Sequence, residues 1–569
     1  MPPGRHAARR SLQGTSINRD HLTRLARMLQ SVEDKAGVAD EMLSTHGRHA
    51  GGIMLALLLA LLVLVGSAWS RGTEYDEDYS VFIATGTPRP VWPSGTFTPR
   101  DTHMFFTGHS TMTGIASDLR HNDVHPPLYF WSVAAWRGVF GSSLFESRLL
   151  SVLFSLIALL GVAALARLSG APPVASVLLT LGCYGFTYTG SIARGFALAQ
   201  LCMIWGTVLI VRAAARSSAP ALREERTPDE QGSSLHLVGL ALAGGVLLGL
   251  ASFSNYLAAF GGAASLLWLL IYRTRQWPRW FAAGLGFACI LPLDLYFFLA
   301  QRSARVGQFP PFKLLPSLAR LGKYASANVF GGLPLYVGHI PGLILGALLV
   351  LALAGLVALV ALRWRVTAGG ELRVLLVMAV LATPVGLLLL GFVFNNTPIE
   401  LRYIAFAMPF WAVLLAGTFA SLPQRAGMAV LSVLLGVQAL SIAGLLTRPE
   451  TMQPQAHAAH AAQRLATATS LTLVPYGNDG VGVLAAFVNE SPDTLHIRRV
   501  DPGESVQAIR TSASQASRVV LVLLGLDADS RAVLPIMQRA FEQNECWKRV
   551  TAGPDIMAFD RSAACSAAP

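Results

Sequence analysis

Four acidic residues follow closely after the first strongly apolar run of the sequence: Glu74, Asp76, Glu77 and Asp78. Carboxylates this close together raise one another's pKa, and a carboxylate with a raised pKa suits proton abstraction or cation binding. A solvated loop at a membrane boundary would have the same composition. The cluster is therefore a candidate site for acid–base chemistry, with the boundary loop as its alternative.

A second candidate site lies in the segment HNDVHPPLYFW, from His121 to Trp131. Two prolines follow His125 and stiffen the chain, and Pro127 can open a helix at its first turn. We therefore expect Asp123 and His125 at a rigid helix entrance. A structural helix start and part of a metal site both stay open, because two ligands without a spaced partner do not define a metal site.

Three arginines lie at the ends of apolar runs: Arg148, Arg194 and Arg402. Each could be an anchor whose charged end reaches the membrane surface. Together they suit an anion, because guanidinium groups bind phosphate through paired hydrogen bonds. Asp294, inside the run ILPLDLYFFL, is a further candidate that could equally cap a helix or pair with an arginine.

The composition shows which kind of chain must position these residues. Of 569 residues 53% are hydrophobic and 13% are charged, whereas an ordinary soluble domain has roughly 25% charged residues. This excludes a soluble enzyme, a disordered protein and a nucleic-acid-binding module, despite the net charge of +12. Five cysteines exclude a disulfide-stapled scaffold. The sequence predicts an α-helical polytopic membrane protein.

Apolar runs predict about eleven membrane helices, since a bilayer needs roughly 20 apolar residues per helix. The first run, taken as an uncleaved anchor, follows a hydrophilic segment at 1–49. The runs lie at approximately 53–69, 148–166, 173–190, 195–211, 236–252, 257–272, 280–298, 341–362, 374–394, 403–420 and 427–446.

The arginines of the short loops predict the orientation. With the N-terminus in the cytoplasm, the inner loops hold twelve arginines and the short outer connections hold two. The long segments 71–147, 299–340 and 447–569 are then external. The chain is expected in the plasma or inner membrane.

Two external segments have predicted structure of their own. Residues 127–142 are too short for a span and predict a helix lying in the outer membrane interface. The tail from 447, with 11 basic and 12 acidic residues, predicts a small α/β domain with strands at 471–475, 519–524 and 555–559. Cys546 and Cys565 could pair there in an oxidising compartment, and two free thiols are the alternative.

The order of these motifs resembles the GT-C superfamily of integral-membrane glycosyltransferases. The matching pieces are Asp76-Glu77, the D-x-H-P-P-L-Y segment from Asp123 to Tyr129, and FGSSLFESRLL with Arg148. SIARGFAL and LRYIAFAMPF, later in the chain, resemble further elements of the protein mannosyltransferase and aminoarabinose transferase branch. The resemblance covers about 71–410.

Two positions depart from that pattern. Gly195-Phe196 replaces the usual aromatic residue after the arginine at 194, and Asn255-Tyr256 stands where relatives often have a histidine. A histidine role at that helix end is therefore in doubt for this chain.

The resemblance implies that residues 50–446 form a catalytic domain. This domain would transfer a sugar from a polyprenyl-phosphate donor to an external acceptor, with inversion at the anomeric carbon. Asp76 would be the general base, and Glu77 would position the acceptor or the sugar. Arg194 and Arg402 would stabilise the leaving phosphate, together with Arg148.

Other residues are expected to line the cavity or to close it. The segment 299–340 could form a lid that carries Lys313 and Lys323 toward the phosphate. Residues expected to line the cavity or contact the substrate are Asp123, His125, Tyr129, Tyr256, Tyr324 and Tyr336.

Several alternatives stay open at this level. The acceptor could be protein, lipid or polysaccharide, membrane lipid surrounds the chain, and no nucleic acid is expected. Some relatives use a divalent metal, although this sequence has no convincing ligand set for one. A transporter or flippase is a rival function, but no internal repeat is visible and the charges lie at one face. A non-catalytic envelope assembly protein is a second rival, which leaves the clustered charges without a role.

Overall fold

The computed structural model describes residues 50–214, 228–302, 310–365, 370–448, 454–562 and 565. The predicted cytoplasmic segment 1–49 lies outside them. Within the described residues the membrane part is helical, and a small sheet domain follows it. This confirms the predicted class, a polytopic helical membrane protein with a C-terminal α/β domain.

Nine helices of the described residues are long and apolar enough to cross a membrane. They are Ala50–Ser70, Leu144–Leu168, Phe196–Ala213, Ser234–Ser252 (the apolar part of Pro228–Ser252), Trp277–Gln301, His339–Leu362, Gly370–Phe394, Leu401–Ala420 and Gln424–Thr447. The other two predicted runs are also helical but shorter. Ala258–Tyr272 has 15 residues, and the run at 173–190 is divided into two helices.

The division of this run occurs at Cys183, between helices Pro173–Gly182 and Tyr184–Gly190. Cys183 has extended backbone angles, φ −71° and ψ 124°. Gln438 of a neighbouring helix donates to the Leu179 carbonyl oxygen at 3.4 Å beside the break. A helix inside a membrane can break where a polar neighbour pairs with the freed backbone groups. The apolar sequence at 173–190 does not indicate the break, because the polar partner Gln438 belongs to another helix.

The first long loop contains four helices and one 3₁₀ turn. The helices are Tyr75–Thr85, Pro99–Thr102, Met112–Asn122 and Leu128–Phe140, and the turn is His103–Phe105. We call Tyr75–Thr85 the acidic helix. Leu128–Phe140 agrees with the short helix predicted at 127–142.

The segment predicted as the second long loop is also largely helical. The helix Trp277–Gln301 extends into it, and Leu314–Val329 adds 16 helical residues. A 3₁₀ turn at Leu333–Leu335 leads into the next membrane helix.

The C-terminal domain has one five-stranded sheet. Its strands are β1 Ser470–Pro475, β2 Ile497–Val500, β3 Arg518–Val522, β4 Trp547–Ala552 and β5 Ile556–Arg561, in the order β2-β1-β3-β5-β4. β1 pairs in parallel with β2 and β3, whereas β5 is antiparallel to β3 and β4. The three predicted strands are present. The two strands not predicted, β2 and β4, are edge strands with polar sequences, IRRV and WKRVTA.

Helices pack on both faces of this sheet. They are Pro454–Leu465, Gly480–Asn489, Val506–Ser512 and Ala528–Glu542. One of the two cores also contains Phe82, Trp92 and Phe97 of the first loop. Phe97 and Ile497 exchange backbone hydrogen bonds of 2.8 and 2.9 Å. The domain and the first loop therefore share a hydrophobic core, and Cys546 and Cys565 form a disulfide within the domain.

Candidate active site

The acidic helix starts close after the first membrane helix. Glu74 is its N-cap, and Glu77 accepts a hydrogen bond from the Glu74 backbone amide at 3.2 Å, which completes a capping box. Carboxylates are favourable at this end of a helix, because its unpaired N–H groups carry partial positive charge. The four acidic residues of the predicted cluster are thus gathered at one helix start.

Glu77 and Arg148 form a buried ion pair, which we call the closed pair. Arg148 Nη2 lies 2.6 Å from Glu77 Oε2, and Nε lies 2.8 Å from Oε1. Glu77 Oε1 also accepts the Ala193 amide at 2.7 Å. The remaining N–H groups of Arg148 donate to the carbonyl oxygens of Ala68, Arg71 and Gly72. Every N–H of this guanidinium therefore has an acceptor within the protein.

The electrostatics of the closed pair keep Glu77 ionised. Burial alone would raise the pKa of Glu77, but the charge and hydrogen bonds of Arg148 outweigh burial, and the net pKa is lowered. Because its donors are already used, Arg148 has none to offer a phosphate. The pair joins the acidic helix to the end of the first membrane helix and to the chain segment before Arg194.

Glu74 has three polar neighbours that come from distant parts of the sequence. Its Oε1 accepts a hydrogen bond from Arg402 Nη1 at 2.8 Å, and its Oε2 accepts one from the Tyr188 hydroxyl. The guanidinium of Arg71 lies 4.2 Å from the centre of the Tyr188 ring. Burial raises the pKa of Glu74, and the charges of Arg402 and Arg71 offset only part of the rise. Sequence reasoning assigned no role to Tyr188 or Arg71.

Asp76 lies between two of the predicted phosphate-binding arginines. Arg402 Nη1 contacts Asp76 Oδ2, and Arg194 Nη2 lies 3.9 Å from Oδ1. The side chain of Asp76 is 14% exposed, whereas that of Glu77 is fully buried. The structure thus brings together the predicted base and two predicted phosphate ligands. We call Glu74, Asp76, Arg194 and Arg402 the open cluster.

The guanidinium groups of the open cluster are less fully used than that of the closed pair. Arg402 Nε donates to Glu400 Oε2 at 2.7 Å, and its Nη1 serves both Glu74 and Asp76. Its Nη2 donates to no acceptor in the described part of the chain. Arg194 Nη1 donates to Ser80 Oγ at 3.2 Å. The open cluster therefore retains donor capacity for an anion.

His125 connects the open cluster to a further acidic residue, Asp123. Arg194 Nη2 lies 3.3 and 3.4 Å from the two ring nitrogens of His125. His125 Nδ1 is 2.7 Å from Asp123 Oδ1. Burial would raise the pKa of Asp123, but His125 and then Arg194 outweigh it and lower the pKa. Asp123 is therefore a carboxylate that orients the imidazole.

A cavity of about 560 Å³ begins at His125. Its polar wall residues include His125, Asn255, Tyr256, Gln301 and Asn396, and Tyr403 brings it next to Arg402. Phe298, Leu390 and Phe394 supply an apolar wall. The cavity therefore lies next to the open cluster at two points. His125 separates it from Arg194, and Tyr403 is the neighbour of Arg402 in the chain.

Hydrogen bonds fix the polar end of this cavity. The Tyr256 hydroxyl donates to Gln301 Oε1 at 2.9 Å. Gln301 Nε2 in turn donates to the His125 carbonyl oxygen at 3.0 Å. Tyr256, which the sequence analysis expected at a substrate cavity, is among the residues that line this one.

Other predicted site residues lie elsewhere. Tyr129 is fully buried with its hydroxyl 3.4 Å from Ser151 Oγ, and it does not line the cavity. Tyr324 lies on the helix Leu314–Val329 and is not a wall residue either. Asp294 is buried and accepts a hydrogen bond from Ser252, so this intramembrane acid has a local partner.

No group of three His, Cys, Asp or Glu side chains in the described ranges has the geometry to hold a metal ion. In the open cluster the cation beside the carboxylates is Arg402, which contacts Glu74, Asp76 and Glu400.

No family model matches the sequence, and no curated protein matches it. In structure, the chain is similar to ArnT from Cupriavidus metallidurans bound to undecaprenyl phosphate. The identity is 14% and the TM-score 0.48, over 91% of this chain and 99% of that chain. It is also similar to the archaeal oligosaccharyltransferase AglB from Archaeoglobus fulgidus, in complex with an inhibitory peptide and a dolichol-phosphate. That match has 12% identity and a TM-score of 0.46, over 90% and 74% of the two chains.

A third similar structure is the protein O-mannosyltransferase complex of S. cerevisiae bound to the sugar donor. It has 14% identity and a TM-score of 0.28, over 45% of this chain and 32% of that chain. By their names, the second is an oligosaccharyltransferase and the third is a protein O-mannosyltransferase.

Proposed function

We propose that this chain is a membrane glycosyltransferase that moves a sugar from a polyprenyl-phosphate carrier to a hydroxyl acceptor. The observation that carries the proposal is the position of Asp76 between Arg402 and Arg194, next to the cavity that starts at His125. A carboxylate beside two cations matches what the reaction needs, a base next to an anion site.

Asp76 is the proposed general base. It takes the proton of the acceptor hydroxyl while the acceptor oxygen forms a bond to the anomeric carbon. The bond from that carbon to the phosphate oxygen breaks, and the polyprenyl phosphate leaves with the electron pair. One displacement of this kind inverts the anomeric carbon. The partial exposure of Asp76 supports this role, because an acceptor must reach its oxygens.

Arg402 and Arg194 are the proposed phosphate ligands. Negative charge grows on the phosphate oxygens as the sugar departs, and fixed cations stabilise that charge. The Nη2 of Arg402, which donates to no acceptor among the described residues, supports this role. A phosphate there would compete with Asp76 for the guanidinium, which would free the carboxylate to act on the acceptor. The donor is thus expected to bind before the acceptor.

The closed pair is proposed to position rather than to contact the substrate. Glu77 uses both oxygens within the protein, and Arg148 uses all its donors. In this proposal His125, with Asp123 behind it, and Tyr256 shape the polar end of the cavity. Its aromatic and aliphatic wall suits the first isoprene units of the carrier.

The reaction is proposed to occur on the external face of the plasma or inner membrane. Support comes from the twelve arginines of the inner loops against two in the short outer connections. The N-terminus would then be cytoplasmic, and the C-terminal domain would stand outside with its disulfide.

The test is a transfer assay with the full chain in membranes. A panel of undecaprenyl-phosphate-linked hexoses and pentoses, radiolabelled in the sugar, is supplied, and label is followed into lipid, polysaccharide and protein fractions. We expect transfer from at least one donor with wild-type membranes and none above background with Asp76→Asn. Asp493→Asn, an exposed acid of the C-terminal domain, is the matched control. Equal transfer by wild type and Asp76→Asn would refute the assignment of the base.

A further inference from the structure

The C-terminal domain meets the acidic helix through the helix Gly480–Asn489, which we call the domain helix. The two helices approach closely at Gly482. A Cβ atom there would lie 2.8 Å from the Tyr75 carbonyl oxygen and 2.7 Å from the Tyr79 ring. Only glycine allows this approach without displacing the acidic helix.

Glu490, directly after the domain helix, holds the turn before the acidic helix. Its Oε1 accepts the Thr73 backbone N–H at 2.5 Å and the Thr73 hydroxyl at 2.7 Å. Thr73 is buried and directly precedes the N-cap Glu74. Because the backbone and the side chain of Thr73 both donate to this one oxygen, the contact fixes where the acidic helix begins.

Asn489, the last residue of the domain helix, holds the same element further along. Its Nδ2 donates to Asp78 Oδ1 at 2.7 Å. Asp78 is fully buried, and its Oδ2 has no hydrogen-bond partner among the residues described. Burial, and then the charge of Glu77, raise the pKa of Asp78 well above its usual range. The side-chain amide of Asn489 therefore donates a hydrogen bond to a carboxyl group that is buried away from solvent.

The two contacts lie on either side of Asp76 in the sequence. We propose that Asn489 and Glu490 are positioning residues, which hold the acidic helix so that Asp76 keeps its place between Arg402 and Arg194. The C-terminal domain is then a working part of the active site. The inference rests on the proposed function for the role of Asp76. Their hydrogen bonds are to Thr73 and Asp78, which are not members of the open cluster, so both act through the acidic helix.

The test uses the full chain in detergent micelles and two readouts. Hydrogen exchange followed by mass spectrometry reports the protection of peptides covering 72–85, whether or not the chain is active. Turnover with the undecaprenyl-phosphate sugar panel reports kcat and KM. The variants are Glu490→Ala, Asn489→Ala and the conservative Glu490→Gln, whose amide oxygen can still accept from Thr73. The control is Glu542→Ala, since that side chain is 42% exposed in the same domain.

We expect Glu490→Ala to raise exchange in 72–85 by about tenfold and to lower kcat by about tenfold, with KM within about twofold. Asn489→Ala should act in the same direction, Glu490→Gln should restore most of both values, and Glu542→Ala should match wild type. Wild-type protection or wild-type kcat in Glu490→Ala would overturn the inference. If the wild type transfers no sugar from any donor, the proposed function fails, and the exchange measurement still decides whether these residues hold the helix.

Discussion

The closed pair and the open cluster have the same chemical groups, and their carboxylates lie at the start of one helix, yet they differ in how far those groups are used. In the closed pair, Glu77 accepts hydrogen bonds on both oxygens, and Arg148 donates every N–H to the protein. In the open cluster, Asp76 is partly exposed and Arg402 Nη2 has no acceptor among the residues described. We propose that saturation of donors and acceptors, more than residue type, separates a structural ion pair from a site that can bind a substrate.

This difference should also determine whether a substitution in each centre lowers folding stability or lowers binding and turnover. Removing one partner of a buried, saturated pair leaves a charge without compensation, and the cost falls on folding. Asp76 of the open cluster is partly exposed, so the cost of removing its charge should fall mainly on binding or turnover.

The largest effect is expected for Arg148→Ala. Glu77 would remain buried without its cation, and the free energy of unfolding should fall by about 3–5 kcal/mol. Thermal unfolding in detergent micelles, followed by intrinsic fluorescence, measures the change. Arg549→Ala removes a surface ion pair of 3.5 Å and should cost less than about 0.5 kcal/mol. An Arg148→Ala chain as stable as wild type would remove the closed pair from its structural role.

Arg402→Ala should act on the donor site. Loss of its charged hydrogen bonds is expected to weaken binding of undecaprenyl phosphate by about 10- to 100-fold. Titration of the full chain in micelles with undecaprenyl phosphate gives the dissociation constant. Arg320→Ala is the matched control, because Arg320 is exposed on the helix Leu314–Val329. An unchanged dissociation constant in Arg402→Ala would take Arg402 out of the proposed phosphate site.

Asp78→Asn should stabilise the protein in a pH-dependent way. Because burial raises the pKa of Asp78 in the folded state, its ionisation opposes folding. The cost is absent below the unfolded pKa of about 4, grows as pH rises toward the folded pKa, and is constant above it. We expect Asp78→Asn to raise the free energy of unfolding at pH 8 and to raise it less at pH 5. A gain that is larger at pH 5 would contradict the raised pKa.

The smallest effects are expected for Tyr256 and Tyr129, two residues that the sequence analysis expected at the cavity. Tyr256→Phe removes the hydrogen bond to Gln301 at the cavity wall and should raise the donor KM by less than about tenfold. Tyr129→Phe should change it by less than about twofold, since its hydroxyl is 3.4 Å from Ser151 and away from the cavity. Steady-state kinetics of both variants give the ranking. The reverse order would place Tyr129 at the substrate.

Much of the membrane architecture could be predicted from the sequence. Apolar runs located all eleven helical segments, since a bilayer demands their length and composition. The break at Cys183 was hidden, because it depends on Gln438 from a neighbouring helix and leaves the run equally apolar. Strands β2 and β4 were missed because edge strands need little apolar alternation.

The sequence named the residues of the candidate site, but it indicated their pairing only in part. Motif order named Asp76, Arg194 and Arg402, and the fold brings these three together. The sequence did not indicate that Arg148 pairs with Glu77. The presence of an arginine does not reveal whether its N–H groups already donate to acceptors within the protein. The contact of Glu490 with Thr73 joins residues 417 positions apart, and no local pattern carries such a pairing.

The most direct test of the central claim measures stability and transfer activity together for Asp76→Asn and Glu77→Gln. Activity is expressed per folded molecule in the undecaprenyl-phosphate sugar assay. We expect Asp76→Asn to keep wild-type stability and lose about a thousandfold in kcat. We expect Glu77→Gln to lose stability by about 3 kcal/mol and to retain transfer in its folded fraction. A stable, inactive Glu77→Gln together with an active Asp76→Asn would reverse the roles of the closed pair and the open cluster and contradict the account.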